Sequence, residues 1–149
     1  MLLPISLLFF LTAASELGTH PPDPQQALVP GIIDFGTNEK RDVLSAPTRV
    51  GVGEDFEMKI TTFGGGCDSE GDTSVVILAT GAAVMVYDLT VATHPRVICP
   101  AVVKRMPHTV TLRFEKPGEA LIQIWGRRVG PEAPLFGVPA VLEHRVTIK

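Results

Sequence analysis

A chain of 149 residues, 45% of them hydrophobic and 19% charged, has the size of one domain and buries roughly two thirds of its unfolded surface, enough for a core without a metal. Its net charge of −3 comes from 13 Lys and Arg scattered among 16 Asp and Glu, which leaves no basic surface for a phosphate backbone and argues against nucleic acid as a partner. The 14 Gly and 13 Pro stand among abundant Val, Ile and Leu, a composition of many turns rather than of disorder.

In chain order, the first element is Leu2 to Ala14, apolar apart from Ser6 and Thr12 and followed by Ser15. Such a core ending in small residues is the pattern of a signal peptide over 1–15, cleaved near Ser15, although the only positive charge before it is the terminal amine. The same segment could instead pack as a buried strand or helix; it is too short for a bilayer span, so no membrane span is expected after signal cleavage. Residues 16–34 carry Pro21, Pro22, Pro24 and Pro30 and read as an extended Pro-rich linker ahead of a domain over 35–149.

From Phe35 onward no stretch repeats apolar residues at helical spacing, while several alternate with a period of two. Phe56, Met58 and Ile60 alternate with Glu57, Lys59 and Thr61, and Val110, Leu112 and Phe114 with Thr111, Arg113 and Glu115. Further strands are expected over Ser74 to Ala79, over Ala83 to Val91 with Met85, Tyr87, Leu89 and Val91 on one face, over Glu119 to Trp125, and over a final run with Leu142, His144, Val146 and Ile148 on one face. The expected fold is therefore all-β, an immunoglobulin-like β-sandwich of about seven strands. Gly51 to Glu54, Thr80 to Ala82 and Lys116 to Glu119 read as short turns, whereas 64–73, 92–108 and 127–140 read as long loops. If consecutive strands run antiparallel, the short turns share one pole and the long loops the other. Pro95, Pro100 and Pro107 argue against an extra interior strand over 96–103.

An exported chain meets oxidising conditions, so Cys67 and Cys99 are expected to form a disulfide. Both follow strands that end at the long-loop pole. The segments Phe56-Glu57-Met58-Lys59-Ile60-Thr61-Thr62-Phe63-Gly64-Gly65-Gly66-Cys67, Tyr87-Asp88, Cys99, Pro107-His108-Thr109-Val110-Thr111-Leu112-Arg113-Phe114, Pro117-Gly118-Glu119-Ala120 and Gly126-Arg127 resemble small exported bacterial proteins of unknown function with an immunoglobulin-like body. The resemblance covers about Asp55 to Arg127. It implies a β-rich fold with one cysteine pair and export, and it carries over no assigned activity.

Three constellations could carry chemistry. Asp68, Glu70 and Asp72 alternate in a Gly-bearing segment, which superficially suits calcium, but Ala79 stands where a calcium loop needs its twelfth-position carboxylate. His20, His94, His108 and His144 have no paired ligand spacing, though His94 and His108 could meet at the loop pole to hold copper or zinc. No Ser lies in a Gly-x-Ser-x-Gly elbow, the disulfide removes both thiols, and Gly64-Gly65-Gly66 has no Lys after it to make a phosphate loop. Trp125, Arg127 and Arg128 remain as contact candidates, since Trp and Arg dominate binding hot spots; alternatively Trp125 packs under a neighbour and the arginines are merely solvated. The expectation is a secreted or periplasmic, non-catalytic binding or structural module, without cofactor, that presents its loops to a protein or cell-surface ligand. A small secreted enzyme or metal-binding protein using Asp68, Glu70 and Asp72 with His94 and His108 is the alternative. A third reading, a subunit that completes a larger assembly through an edge strand, requires a long uncharged edge.

Overall fold

The computed structural model describes residues 26–36, 42–91, 98–131, 133–134 and 137–149. Among them there is no helix. Ten strands are formed: β1 (Gln26–Pro30), β2 (Ile32–Asp34), β3 (Leu44–Ser45), β4 (Arg49–Val50), β5 (Asp55–Gly64), β6 (Ser69–Leu78), β7 (Gly81–Val91), β8 (Lys104–Arg113), β9 (Gly118–Arg128) and β10 (Val138–Ile148). The all-β expectation holds, with six long strands, β5 to β10, and four short pieces, β1 to β4.

Period-two alternation decides which side of each long strand is buried. In β5, Phe56, Met58 and Ile60 face inward while Glu57 and Lys59 face water; in β8, Met106, Val110 and Leu112 do the same. These two strands pair antiparallel from Asp55 opposite Arg113 to Gly64 opposite Lys104. Ala82, Val84 and Val86 of β7, Ala120, Ile122 and Ile124 of β9, and Val146 and Ile148 of β10 belong to the same core cluster. Every strand is linked by hydrogen bonds into one sheet, with β5 joined to β9 through β2. Since the strands bury one side each in a common core, the sheet folds over, setting β5 and β8 against β7, β9 and β10. Pro107 sits inside β8, which is tolerated because among the described residues β8 pairs with β5 alone, leaving an edge that needs no N–H there.

The fold turns on a fork. β7 and β9 run parallel from Gly81 and Leu121 to Met85 and Trp125. Beyond that point β7 pairs instead with β1, antiparallel over Tyr87 to Val91, and β9 pairs with β2 at Arg127 and Arg128. Gly31 stands at the apex, its N–H donating to Val86 O at 2.9 Å and its carbonyl accepting from Arg127 N–H at 2.8 Å. The chain thus comes in along one branch and leaves along the other. Residues 26–34, read from their prolines as the end of a linker, are strands of the sheet: the apolar residues Ala27 to Val29 and Ile32 to Ile33 outweigh Pro30, which ends β1. Residues 1–25, including the expected signal segment, lie outside the described residues.

The three short turns share one pole, but the expected long loop over 64–73 is corrected to a four-residue connection, because β6 begins at Ser69. Gly53 N–H donates to Phe114 O at 2.9 Å, and residues 79–80 line one groove with Lys116, Pro117 and Ile148, so the three short turns gather together. At the other end this β5–β6 connection is Gly65 to Asp68. It is tied to the segment before β8 by the Cys67–Cys99 disulfide, with Cα atoms 5.2 Å apart, and by Lys104 Nζ donating to Asp68 O at 2.8 Å. Closing a loop of 32 residues stabilises the fold by about 3 to 4 kcal/mol through the entropy it removes from the unfolded chain.

Candidate functional site

Where β7 and β9 part, the outer face of the sheet carries a groove of about 500 Å³. Its floor is Met85 and Tyr87 from β7 with Trp125 and Arg127 from β9; Val29 and Val138 form its sides. The placement follows from alternation. Ala120, Ile122 and Ile124 take the core side of β9, so Trp125 must project outward. Met85 is opposite Trp125 in the β7–β9 ladder and Val141 is opposite Trp125 in the β9–β10 ladder. Directly opposed residues share a face, and these three make an apolar row across the sheet with relative exposures of 41%, 39% and 42%. Trp125 is flanked by Met85 and Val141 on its own face and keeps about two-fifths of its surface open.

The contact candidates divide. Trp125 and Arg127 line the groove, while Arg128, one residue further, turns to the opposite side and donates from Nε to Asp34 Oδ2 at 2.6 Å. Burial works against the Asp34 charge, but the Gly36 N–H at 2.7 Å and the Arg128 guanidinium outweigh it and hold the carboxyl below its ordinary value. Arg128 therefore fastens the start of the β9–β10 connection to β2. Met85, Tyr87 and Val138 were not among the expected contacts. Alternation places Met85 and Tyr87 on one face of β7 but does not say which face is wet, and Asp88 on the other face points the wrong way, because it is itself buried.

Asp88 belongs to a polar cluster in the core that sequence reasoning missed. Thr62, Asp88 and His108 are 0%, 3% and 1% exposed. The Thr62 hydroxyl donates to Asp88 Oδ1 at 2.9 Å, His108 Nε2 lies 3.0 Å from the same oxygen and 3.0 Å from Thr62 Oγ1. With the carboxylate oxygen accepting from both, the ring hydrogen is placed on Nε2. The residues could suggest a nucleophile, a base and an orienting acid, but a relay needs the acid on the imidazole nitrogen opposite the nucleophile. Here both partners share one nitrogen, and nothing from solvent reaches the hydroxyl. The cluster is structural: it satisfies polar atoms beneath the fork, where a Cβ added to Gly31 would stand 2.5 Å from Thr62 Cγ2 and 2.8 Å from Asp88 Oδ2.

This corrects the reading of His108, which is a core residue of β8 rather than part of a loop beside His94; His94 lies outside the described residues. Glu70 and Asp72 are on strand β6, not in a loop, since the β5–β6 connection ends at Asp68. Asp68 Oδ2 is occupied as acceptor of the Gly65 N–H at 2.6 Å. Among the described residues no three His, Cys, Asp or Glu side chains converge as metal ligands. His144 Nε2 bonds Pro47 O at 2.9 Å. Comparison with known protein families, curated proteins and solved structures finds no match to this chain.

Proposed function

We propose that the chain is a secreted or periplasmic, non-catalytic binding module, an immunoglobulin-like sandwich that holds an apolar segment of a protein or cell-surface ligand in the groove at its strand fork. The observation that carries this reading is the row Met85, Trp125 and Val141, placed in register across three strands and left about two-fifths exposed. Large apolar side chains aligned on a rigid sheet lose little entropy on binding, and a Trp flanked by Tyr87 and Arg127 has the composition of a hot spot. The disulfide suits an oxidising compartment. The buried state of His108 and the hydrogen bond made by Asp68 weigh against the enzyme or metal-binding alternative.

Trp125 is the single tryptophan of the chain, so its emission reports directly on the groove. A partner recovered from the exported fraction of the native host should shift that emission to shorter wavelength on titration. Trp125→Ala should weaken the complex at least tenfold, about 1.4 kcal/mol, while Lys116→Ala with Glu119→Ala at the opposite pole should leave it unchanged. A partner kept by Trp125→Ala and lost by the opposite-pole variant would place the binding surface at the short-turn end.

A further inference from the structure

Strand β6 pairs with β7 and with no other strand among the described residues. Its free edge is unusual in its second half. From Ser74 to Thr80 there is no charge and no proline, and Val75, Val76, Ile77 and Leu78 are 38%, 54%, 55% and 47% exposed. Edges that must stay single are blunted by charges, prolines or bulges. β8 carries Lys104, Arg105, Pro107 and Arg113 on such an edge, and the irregularity in β6 lies between Glu70 and Thr73, away from the apolar half.

Both faces of this half-strand are apolar. Val75 and Ile77 are opposite Val84 and Ala82, residues that are fully buried, so they lie on the core side and extend the core to an open edge. Val76 and Leu78 are opposite Ala83 and Gly81 and lie on the outer side. A small soluble ligand would cover one face, whereas an added strand continues both and takes up the unpaired backbone groups as well.

We infer that the open edge of β6 pairs antiparallel with β6 of a second copy of this chain, about a two-fold axis at Val76. The charge pattern and the pleat select this occupant and this register. A two-fold axis perpendicular to a sheet keeps each face continuous, so opposed residues must share a face and the axis passes through a residue rather than between two. With the axis at Val76, Val75 meets Ile77 of the second copy on the core side, and Ser74 meets Leu78 on the outer side. Asp72 then falls opposite Thr80, and Glu70 lies beyond the paired region. Moving the axis to Asp72 or Gly71 sets carboxylate against carboxylate, and a parallel in-register pairing stacks Glu70 on Glu70 and Asp72 on Asp72. Moving it toward Leu78 runs into the turn at 79–80 and shortens the pairing. The acidic first half of β6 thus disfavours registers centred on it, while the apolar second half favours one centred on Val76. This edge adjoins the apolar row through Ser74, which is opposite Met85, but none of Ser74 to Leu78 lines the groove at Trp125.

The test is sedimentation velocity of the full chain over a concentration series, with Val76→Lys as the variant. Val76 is more than half exposed, so the lysine has water to reach in the monomer, and unchanged circular dichroism and Trp125 emission will verify the fold. The wild type should show a dimer whose share rises with concentration, and the lysine variant should dissociate at least tenfold more readily. Independently, Val76→Cys should form an intermolecular disulfide on air oxidation, because the two side chains face each other across the axis, whereas Glu70→Cys should not. Wild type that stays monomeric throughout, wild-type species beyond the dimer, a Val76→Lys chain that dimerises like wild type, or equal cross-linking of the two cysteine variants would each overturn the assignment.

Discussion

At the scale of single residues, the most consequential side chain is Asp88, one carboxylate serving two donors in a place that water does not reach. Thr62 and His108 both bond to it, and its removal would leave them only each other, 3.0 Å apart, and the Met106 carbonyl, 3.4 Å from Thr62 Oγ1. Asp88→Ala should therefore destabilise the fold by about 1 to 3 kcal/mol, because a buried network loses the acceptor that both donors share. Asp88→Asn keeps one acceptor oxygen and should recover part of that loss. Urea unfolding followed by Trp125 emission measures both, and a midpoint unchanged in Asp88→Ala would mean that the cluster contributes nothing. At the same scale Arg127 and Arg128 illustrate how much a single residue step matters in a strand. They are neighbours in sequence, yet one lines the groove and the other is committed to Asp34.

At the scale of elements, the fork decides where everything else can sit. Parallel β7 and β9 separate after Met85 and Trp125, and the gap is filled by β1 and β2 meeting at Gly31. Any side chain there would overlap Thr62 and Asp88, so Gly31→Ala should cost about 1 to 3 kcal/mol, the penalty of overpacking a filled core. Amide exchange at Arg127, whose N–H is bonded to the Gly31 carbonyl, should accelerate with it, and unaltered exchange would show the apex to be slack. The long strands were legible because alternation such as Phe56, Met58 and Ile60 is a local signal. The disulfide was legible from the expectation of export and from the expected parity of the strands, which put both cysteines at one pole. The fork was not, since β1 and β2 are defined by partners distant in sequence, and Pro30 together with Pro21, Pro22 and Pro24 imitates a linker. The same reason hid the groove: its row joins Met85, Trp125 and Val141 across three strands, and no window of sequence contains that neighbourhood. His108 was misplaced because Pro107 beside it argues for a loop, an argument that fails at a sheet edge.

At the scale of the whole molecule, the two poles and the compartment are linked through the disulfide. The Cys67–Cys99 bridge joins the β5–β6 and β7–β8 connections at the long-loop pole, and its contribution to stability exists only where thiols can be oxidised. The apolar segment Leu2 to Ala14, with Ser15 behind it, supplies a route to such a compartment if it is read and removed as a signal. The two features depend on each other: a cytoplasmic chain would retain the segment and lose the bridge, exposing an apolar terminus on a domain weakened at the pole that orders its connections. We therefore expect protein isolated from its native host to begin near Ser15 or Glu16 and to contain no free thiol. Intact-mass spectrometry with and without reduction and alkylation reads both quantities in one measurement, since signal removal shortens the chain and the bridge hides two alkylation sites until it is reduced. A folded chain that retains Met1 and alkylates at Cys67 and Cys99 without reduction would overturn the export reading and leave the groove to be explained by a cytoplasmic partner.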